Sequence, residues 1–113
     1  MLDTPGFREV WRIYRRNAKT RAIPFYLSKA EFYSLITSPC HYCGIPPHQT
    51  TCKLDHNGID RLDSSKAYEV DNCAPACKYC NYMKSSMGID RFIMHVAQVY
   101  LNQIKGVSRY GKK

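Results

Sequence analysis

Two Cys-x-x-C pairs, Cys40-His41-Tyr42-Cys43 and Cys77-Lys78-Tyr79-Cys80, carry the plainest chemistry in this chain. A two-residue gap lets one tight turn aim two thiolates at a single ion, and tetrahedral zinc takes four such ligands. Gly44, directly after the first pair, supplies the permissive backbone that such a turn uses. Thirty-three residues separate Cys43 from Cys77, more than the ~15–20 of a zinc ribbon. The stretch between must therefore be a structure of its own, closed at its base by the ion. Cys52 and Cys73 complete the six cysteines. A buried free thiol is the common fate of a spare cysteine, and a bond between these two is disfavoured in a reducing compartment. His41 and His48 are alternative zinc ligands by type, but four cysteines already fill a closed site.

The segment "NGIDRLDSSKAYEVDNCAPACKYCNYMK" runs from Asn57 to Lys84. With C-x-x-C-G at Cys40–Gly44, it offers N-G-I-D-R-L-D at Asn57–Asp63, then Lys66, Tyr68, Asp71-Asn72, and C-x-x-C-N-x-x-K at Cys77–Lys84. These residues resemble HNH endonucleases of the ββα-metal class, particularly small phage-type members. The match is tight over residues 40–84 and looser through "YRRNAKTRAIPFYLSKAEF" and "MGIDRFIMHV" on either side. The resemblance implies an α+β fold: a β-hairpin followed by a helix, closed on a structural zinc and flanked by N- and C-terminal helices. The first strand is expected at about 58–62, a loop through Ser64–Ala67, the second strand near 68–70 and the helix from about 75–76. Residues 1–39 would form a basic helical extension packed on the core, 40–84 the zinc-stapled core, and 85–113 a helix and basic tail, within one compact domain.

The resemblance also implies one catalytic divalent ion, Mg²⁺ or Mn²⁺, which would stabilise charge on the phosphate and the departing oxygen. Asp60 matches the strand ligand and Asn81 the helix ligand, while Asn72 matches an asparagine expected to brace the loop. Each has a plainer role to weigh: Asp60 pairing with Arg61 or capping a turn, Asn81 simply exposed. The slot after Asp60, where the family carries its histidine base, holds Arg61, which stays protonated and cannot accept a proton. Arg61 could instead clamp the scissile phosphate. His56 and Asp63 are the candidate replacement bases. Four extended residues put His56 about 13 Å from Asp60 unless the chain bends at Gly58; a second register takes Asp55-His56 itself as the catalytic pair. Asp63 is nearer, and a carboxylate beside a metal-bound water takes a proton. Restoring a titratable group with Arg61→His is expected to retain or raise activity.

The elements that must hold these residues are legible as patterns. Phe7, Val10, Trp11 and Tyr14 form one helical face after Thr4-Pro5. "IPFYL" reads as extended, and Ser28-Lys29-Ala30-Glu31 as a capping box opening a helix that turns Phe32, Leu35 and Ile36 inward and stops at Ser38-Pro39. A last helix is expected from Ile89 to Lys105, ended by Gly106 and followed by the basic tail "VSRYGKK". The formal charge of +8 is concentrated at the two ends and the cysteine-rich middle is slightly acidic. That balance points to nucleic acid held by phosphate contacts. DNA is the expected partner, with Arg12, Arg15, Arg16, Lys19, Lys78 and Lys84 as backbone contacts. The alternatives are a catalytically inactive zinc-stapled DNA-binding module and a module for an acidic protein partner. No leader-like run or apolar span is present, so a cytoplasmic setting is expected.

Overall fold

The computed structural model describes residues 2–104. Helix α1 (Pro5–Thr20) starts where the Thr4 hydroxyl accepts from the Phe7 amide, with proline in the first turn. Phe7 and Val10 are buried on its apolar face, and Trp11 and Tyr14 pack beside them. The helix closes with Ile23 N–H donating to the Ala18 carbonyl at 2.8 Å and Ala22 N–H to that of Lys19 at 3.0 Å. This double closure places Ala22 at φ 57°, the left-handed position that glycine usually takes.

Helix α2 (Lys29–Ile36) carries the expected capping box: Glu31 N–H donates to Ser28 Oγ, and Ser28 N–H to the Glu31 carboxylate. Phe32 and Ile36 are fully buried. Phe32 gathers edge-on contacts from Trp11 at 5.2 Å and Tyr14 at 5.5 Å between ring centroids. Such pairs add to the area that the rings bury. The extended segment before α2 is held by Phe25, which bridges to Tyr68.

Strands β1 (Gln49–Thr51) and β2 (Leu54–His56) form a hairpin whose two-residue turn, Cys52-Lys53, has φ of 46° and 70°. Two left-handed residues match the twist of a tight hairpin, yet neither is the usual Asn or Gly. This hairpin was not expected from the sequence. Strand β3 (Gly58–Arg61) pairs antiparallel with β4 (Cys73–Ala76), setting Asp60 opposite Ala74. The second strand therefore lies later than the 68–70 expected, and helix α3 (Lys78–Lys84) later than 75–76. Two contacts account for the shift: Tyr68 is taken by Phe25, far earlier in the chain, and Val70–Asn72 coil into a single 3-10 turn. Pro75 is tolerated in β4 because its partner Ile59 gives its N–H to Tyr14 and its carbonyl to Asn81, so the ladder asks for no donor at position 75.

Helix α4 (Ile89–Ile104) anchors through Phe92, 3 % exposed, whereas Ile93, Val96, Val99 and Tyr100 face solvent. The expected stop at Gly106 and the basic tail lie outside the described residues. No helix among the described residues is long and apolar enough to cross a membrane.

Candidate active site

The sulfurs of Cys40, Cys43, Cys77 and Cys80 all lie within 4.8 Å of one another, and those of Cys43 and Cys77 are 3.7 Å apart. A tetrahedron with metal–sulfur bonds of ~2.3 Å has edges of about 3.8 Å, so the donor set fits zinc. Gly44, at φ 80°, turns the first knuckle, and its N–H donates to the Cys40 carbonyl. Burial pushes the Cys40 thiol up, but amides of Cys43, Cys77 and Tyr42 outweigh it and bring the pKa down to about 7. That eases one of the four thiols towards the thiolate a metal requires, whereas burial and the neighbouring sulfurs push Cys80 up. Cys52 is exposed on its turn, and Cys73 is a buried thiol pushed up to about 11 by burial; neither joins the cluster.

Beside this knuckle lies a cleft of about 440 Å³ whose lining includes Tyr14, Asn17, Arg21, Asp60, Arg61 and Asn81. Asp60 projects from β3 and is only 4 % exposed. Its Oδ2 accepts from Tyr42 Oη at 2.5 Å. The Tyr42 hydroxyl is raised well above the usual phenol range by burial and by Asp60, so it remains a donor. Lys84 Nζ sits 3.2 Å from the same Oδ2. Lys84 was expected on the DNA backbone, but it is fully buried, because α3 turns it inward onto the one carboxylate that compensates its charge.

Asn81, one turn earlier on α3, donates from Nδ2 to the Ile59 carbonyl at 3.2 Å. That bond ties α3 to β3 next to Asp60. It also leaves the Asn81 amide oxygen without a protein donor among the described residues. The chain thus brings Asp60 and Asn81 to one cleft, one a carboxylate and the other an oriented amide oxygen. Both are donors suited to a hard divalent cation.

Arg61 Nη1 donates to the carbonyls of Ser64 and Lys66 at 2.6 and 2.7 Å, and the guanidinium lies 5.4 Å above the Tyr68 ring. Asn72 braces the same loop: its Oδ1 accepts from Asp63 N–H, and its Nδ2 donates to the carbonyls of Asp63 and Ala67. The Asp63 carboxylate accepts from both the hydroxyl and the amide of Ser65, which hold its pKa below the usual range. His56 is buried, with Nδ1 3.0 Å from the Asn57 carbonyl and Nε2 2.9 Å from the Thr51 hydroxyl. A carbonyl only accepts, so Nδ1 carries a proton. Asp55 accepts from Thr50. Neither His56 nor Asp63 lines the cleft.

Arg12, Arg15, Arg16 and Lys19 border a different groove, shared with Trp11, Ile23 and Phe25. Arg12 pairs with Glu9 at 2.8 Å and Arg15 lies 5.3 Å over the Trp11 ring. Lys78 is exposed at the start of α3, its Nζ 5.4 Å from the Tyr79 ring centre. Sequence reasoning missed four residues around the site: Tyr42, Tyr14, Asn17 and Arg21. The last three share an i, i+3, i+7 spacing that would have flagged one helix face. Nothing in the spacing of the knuckle marks Tyr42.

A hairpin and helix closed on four cysteines, with Asp60 and Asn81 in a common cleft, define an HNH-like α+β fold, and residues 40–87 match the HNH endonuclease family. The fold is similar to that of the rare-cutting HNH restriction endonuclease PacI, with a TM-score of 0.63 and 25% identity, covering 87% of this chain and 80% of that one. The uncharacterized protein R423 of Acanthamoeba polyphaga mimivirus is 37% identical over 83 residues. That match takes in 72% of this chain but only 14% of R423, so the chain spans a small part of that relative's length. These likenesses support a nuclease-type function.

Proposed function

We propose that this chain is an endonuclease that hydrolyses DNA phosphodiester bonds with one divalent ion, and that its four cysteines hold a structural zinc. One observation carries the reading: Asp60 from β3 and Asn81 from α3 open on the same cleft, tied together by the Asn81–Ile59 bond. Asp60 and the Asn81 amide oxygen would hold Mg²⁺ or Mn²⁺, which supplies stabilisation of the charge growing on the phosphate and leaving oxygen. Tyr42 and Lys84 fix the Asp60 carboxylate, so it needs little reorganisation when substrate arrives. Arg61 and Asn72 hold the loop that rims the cleft. The exposed Arg12, Arg15, Arg16, Lys19 and Lys78 contribute the positive surface that attracts duplex through its phosphates. His56 and Asp63, turned to other partners, are not assigned as the base. Four thiolates call for a reducing compartment, for which we take the cytoplasm.

A second reading, a DNA-binding module without catalysis, draws on the ion pair: Lys84 already compensates the charge that a metal would need. Plasmid nicking decides. The nuclease reading expects nicking with Mg²⁺ or Mn²⁺ that is lost in Asn81→Ala and in Asp60→Asn. Salt-sensitive binding without cleavage under any divalent ion would establish the second reading. Failure to bind DNA even at low salt would end both and leave a protein-interaction module.

A further inference from the structure

Helix α1 and its C-cap residue present two polar faces, and only one of them reaches the cleft. At about 100° per residue, Tyr14, Asn17 and Arg21 fall within roughly 60° of one another. Arg12, Arg15, Arg16 and Lys19 lie roughly 100–200° round the helix from Tyr14, on the far side. The structure bears out the division, because the first set lines the cleft with Asp60 and Asn81 while the second borders its own groove.

Arg21 differs from the other cleft cation. The Arg61 Nη1 is spent on two loop carbonyls. The Arg21 guanidinium is exposed and has no hydrogen bond or ion pair among the described residues. The backbone that carries it is nonetheless fixed. Arg21 is the C-cap of α1, its amide bonded to the Asn17 carbonyl at 3.0 Å. The next residue, Ala22, is held at φ 57° by the double closure, a conformation that L residues rarely adopt. A helix C-terminus is also the negative end of the helix dipole and would repel an anion. A guanidinium at that point reverses the local sign and offers a planar fork suited to phosphate oxygens.

We propose that Arg21, assisted by the Asn17 amide, grips a phosphodiester of the DNA strand lying in the cleft, so that the N-terminal helix forms one wall of the active site. This rests on the nuclease reading and deepens it. The strand's path is thereby set between α1 on one side and the β3–α3 pair on the other.

The test uses the whole zinc-loaded chain and a fluorescently labelled duplex, with Ca²⁺ in place of the catalytic ion so that binding is read without cleavage. Affinity is followed against salt. Arg21→Ala is expected to lower the slope of log affinity against log salt by about 0.9, the loss of one phosphate contact. Arg21→Lys keeps the slope, because an ammonium also releases one counterion. Asn17→Asp, which sets a carboxylate beside the phosphate, weakens binding about tenfold. With Mg²⁺ and saturating plasmid, Arg21→Ala cuts at least tenfold more slowly and Arg21→Lys recovers most of the loss. Unchanged thermal melting of these variants separates the effect from folding. A parental salt slope and rate in Arg21→Ala, while the parent binds and cuts, overturns this inference alone. A parent that binds with salt sensitivity but never cuts removes the nuclease reading, and the slope still decides whether Arg21 holds phosphate. A parent without salt-sensitive binding ends both.

Discussion

Lys84 Nζ lies 3.2 Å from Asp60 Oδ2, and the two side chains are 1 % and 5 % exposed. Removing one partner of such a pair strands the other in a medium that solvates it poorly. Asp60→Ala should therefore destabilise the fold by about 3–5 kcal/mol. Lys84→Met costs less, because the carboxylate keeps Tyr42 as a donor and borders the open cleft. The double variant should be more stable than the sum of the two single losses predicts, by at least about 1 kcal/mol. Urea denaturation of the four zinc-loaded proteins checks this. Simple additivity would mean that the pair contributes nothing. It follows that loss of cleavage in Asp60→Ala is ambiguous, and that half-buried Asn81 is the cleaner site to test.

On the proposed nuclease reading, the same pair would set the affinity for the divalent ion. With Lys84 in place, an incoming cation meets a carboxylate whose charge is already shared. Replacing Lys84 by methionine should tighten Mn²⁺ binding on the order of tenfold, since the repulsion of a nearby ammonium disappears. Titration calorimetry on folded Lys84→Met and parent reads this directly, and weaker binding in the variant would show that Lys84 orients Asp60 more than it competes.

Zinc should be inseparable from folding. The four thiols converge from a loop and from the start of α3, and among the described residues the apolar cluster beside them has only Cys40, Ala76 and Cys77 as buried members. Metal binding to such sites in small domains is worth about 10–16 kcal/mol at neutral pH. A strong chelator should abolish the cooperative thermal transition. Elemental analysis should give one zinc per chain in the parent, in Cys52→Ser and in Cys73→Ala, and none in Cys77→Ser. Retention of zinc in Cys77→Ser would place the metal elsewhere.

Local signals in the sequence survived into the structure where one segment decides its own conformation. Thr4-Pro5 and the Ser28–Glu31 box both start helices as expected. The two Cys-x-x-C pairs converge because each knuckle is a local turn and the spacing between them closes one loop. What escaped was decided by distant partners. Tyr68 was expected in the second strand, but Phe25, more than forty residues earlier, claims it. Lys84 reads as a phosphate contact because lysine seldom enters a core; only the closeness of β3 to α3 shows that Asp60 is waiting for it. The hairpin at Cys52-Lys53 was hidden because two ordinary residues adopt left-handed conformations there. Arg21 was passed over for its neighbours because charge density, not helix face, drew attention.

Arg61 offers a case in which geometry reverses the expectation. A histidine at this position would be titratable, but it is too short to donate to the Ser64 and Lys66 carbonyls together, and it forfeits the contact with Tyr68. Arg61→His should therefore loosen the loop and lower cleavage about tenfold. Arg61→Lys should fall between the two, since it keeps charge but not the fork. Single-turnover cleavage at several pH values tests this. A rate that rises in Arg61→His with a pKa near ~6.5 would show instead that the position serves proton transfer.

Tyr14 joins α1 to β3, and its chemistry gives a pH signature. Its hydroxyl oxygen accepts from Ile59 N–H at 3.0 Å, one residue before Asp60. Tyr14→Phe leaves that amide without its partner and should destabilise the fold by about 1–3 kcal/mol. Burial, opposed by the Ile59 bond, pushes the Tyr14 hydroxyl up to about 12 from an ordinary 10.0. A raised pKa means that the unfolded chain ionises first. The stability from this group is thus complete below about pH 10 and is lost as pH rises towards 12. The gap between parent and Tyr14→Phe should narrow over that interval and stay constant below it. Gly58 supplies the geometric counterpart, because a Cβ there would fall 2.6 Å from the Tyr14 oxygen. Gly58→Ala should consequently cost about 1–3 kcal/mol in the parent and distinctly less in Tyr14→Phe, where the obstructing oxygen is gone. Equal costs in both backgrounds would mean that Gly58 is required by something other than the approach of Tyr14.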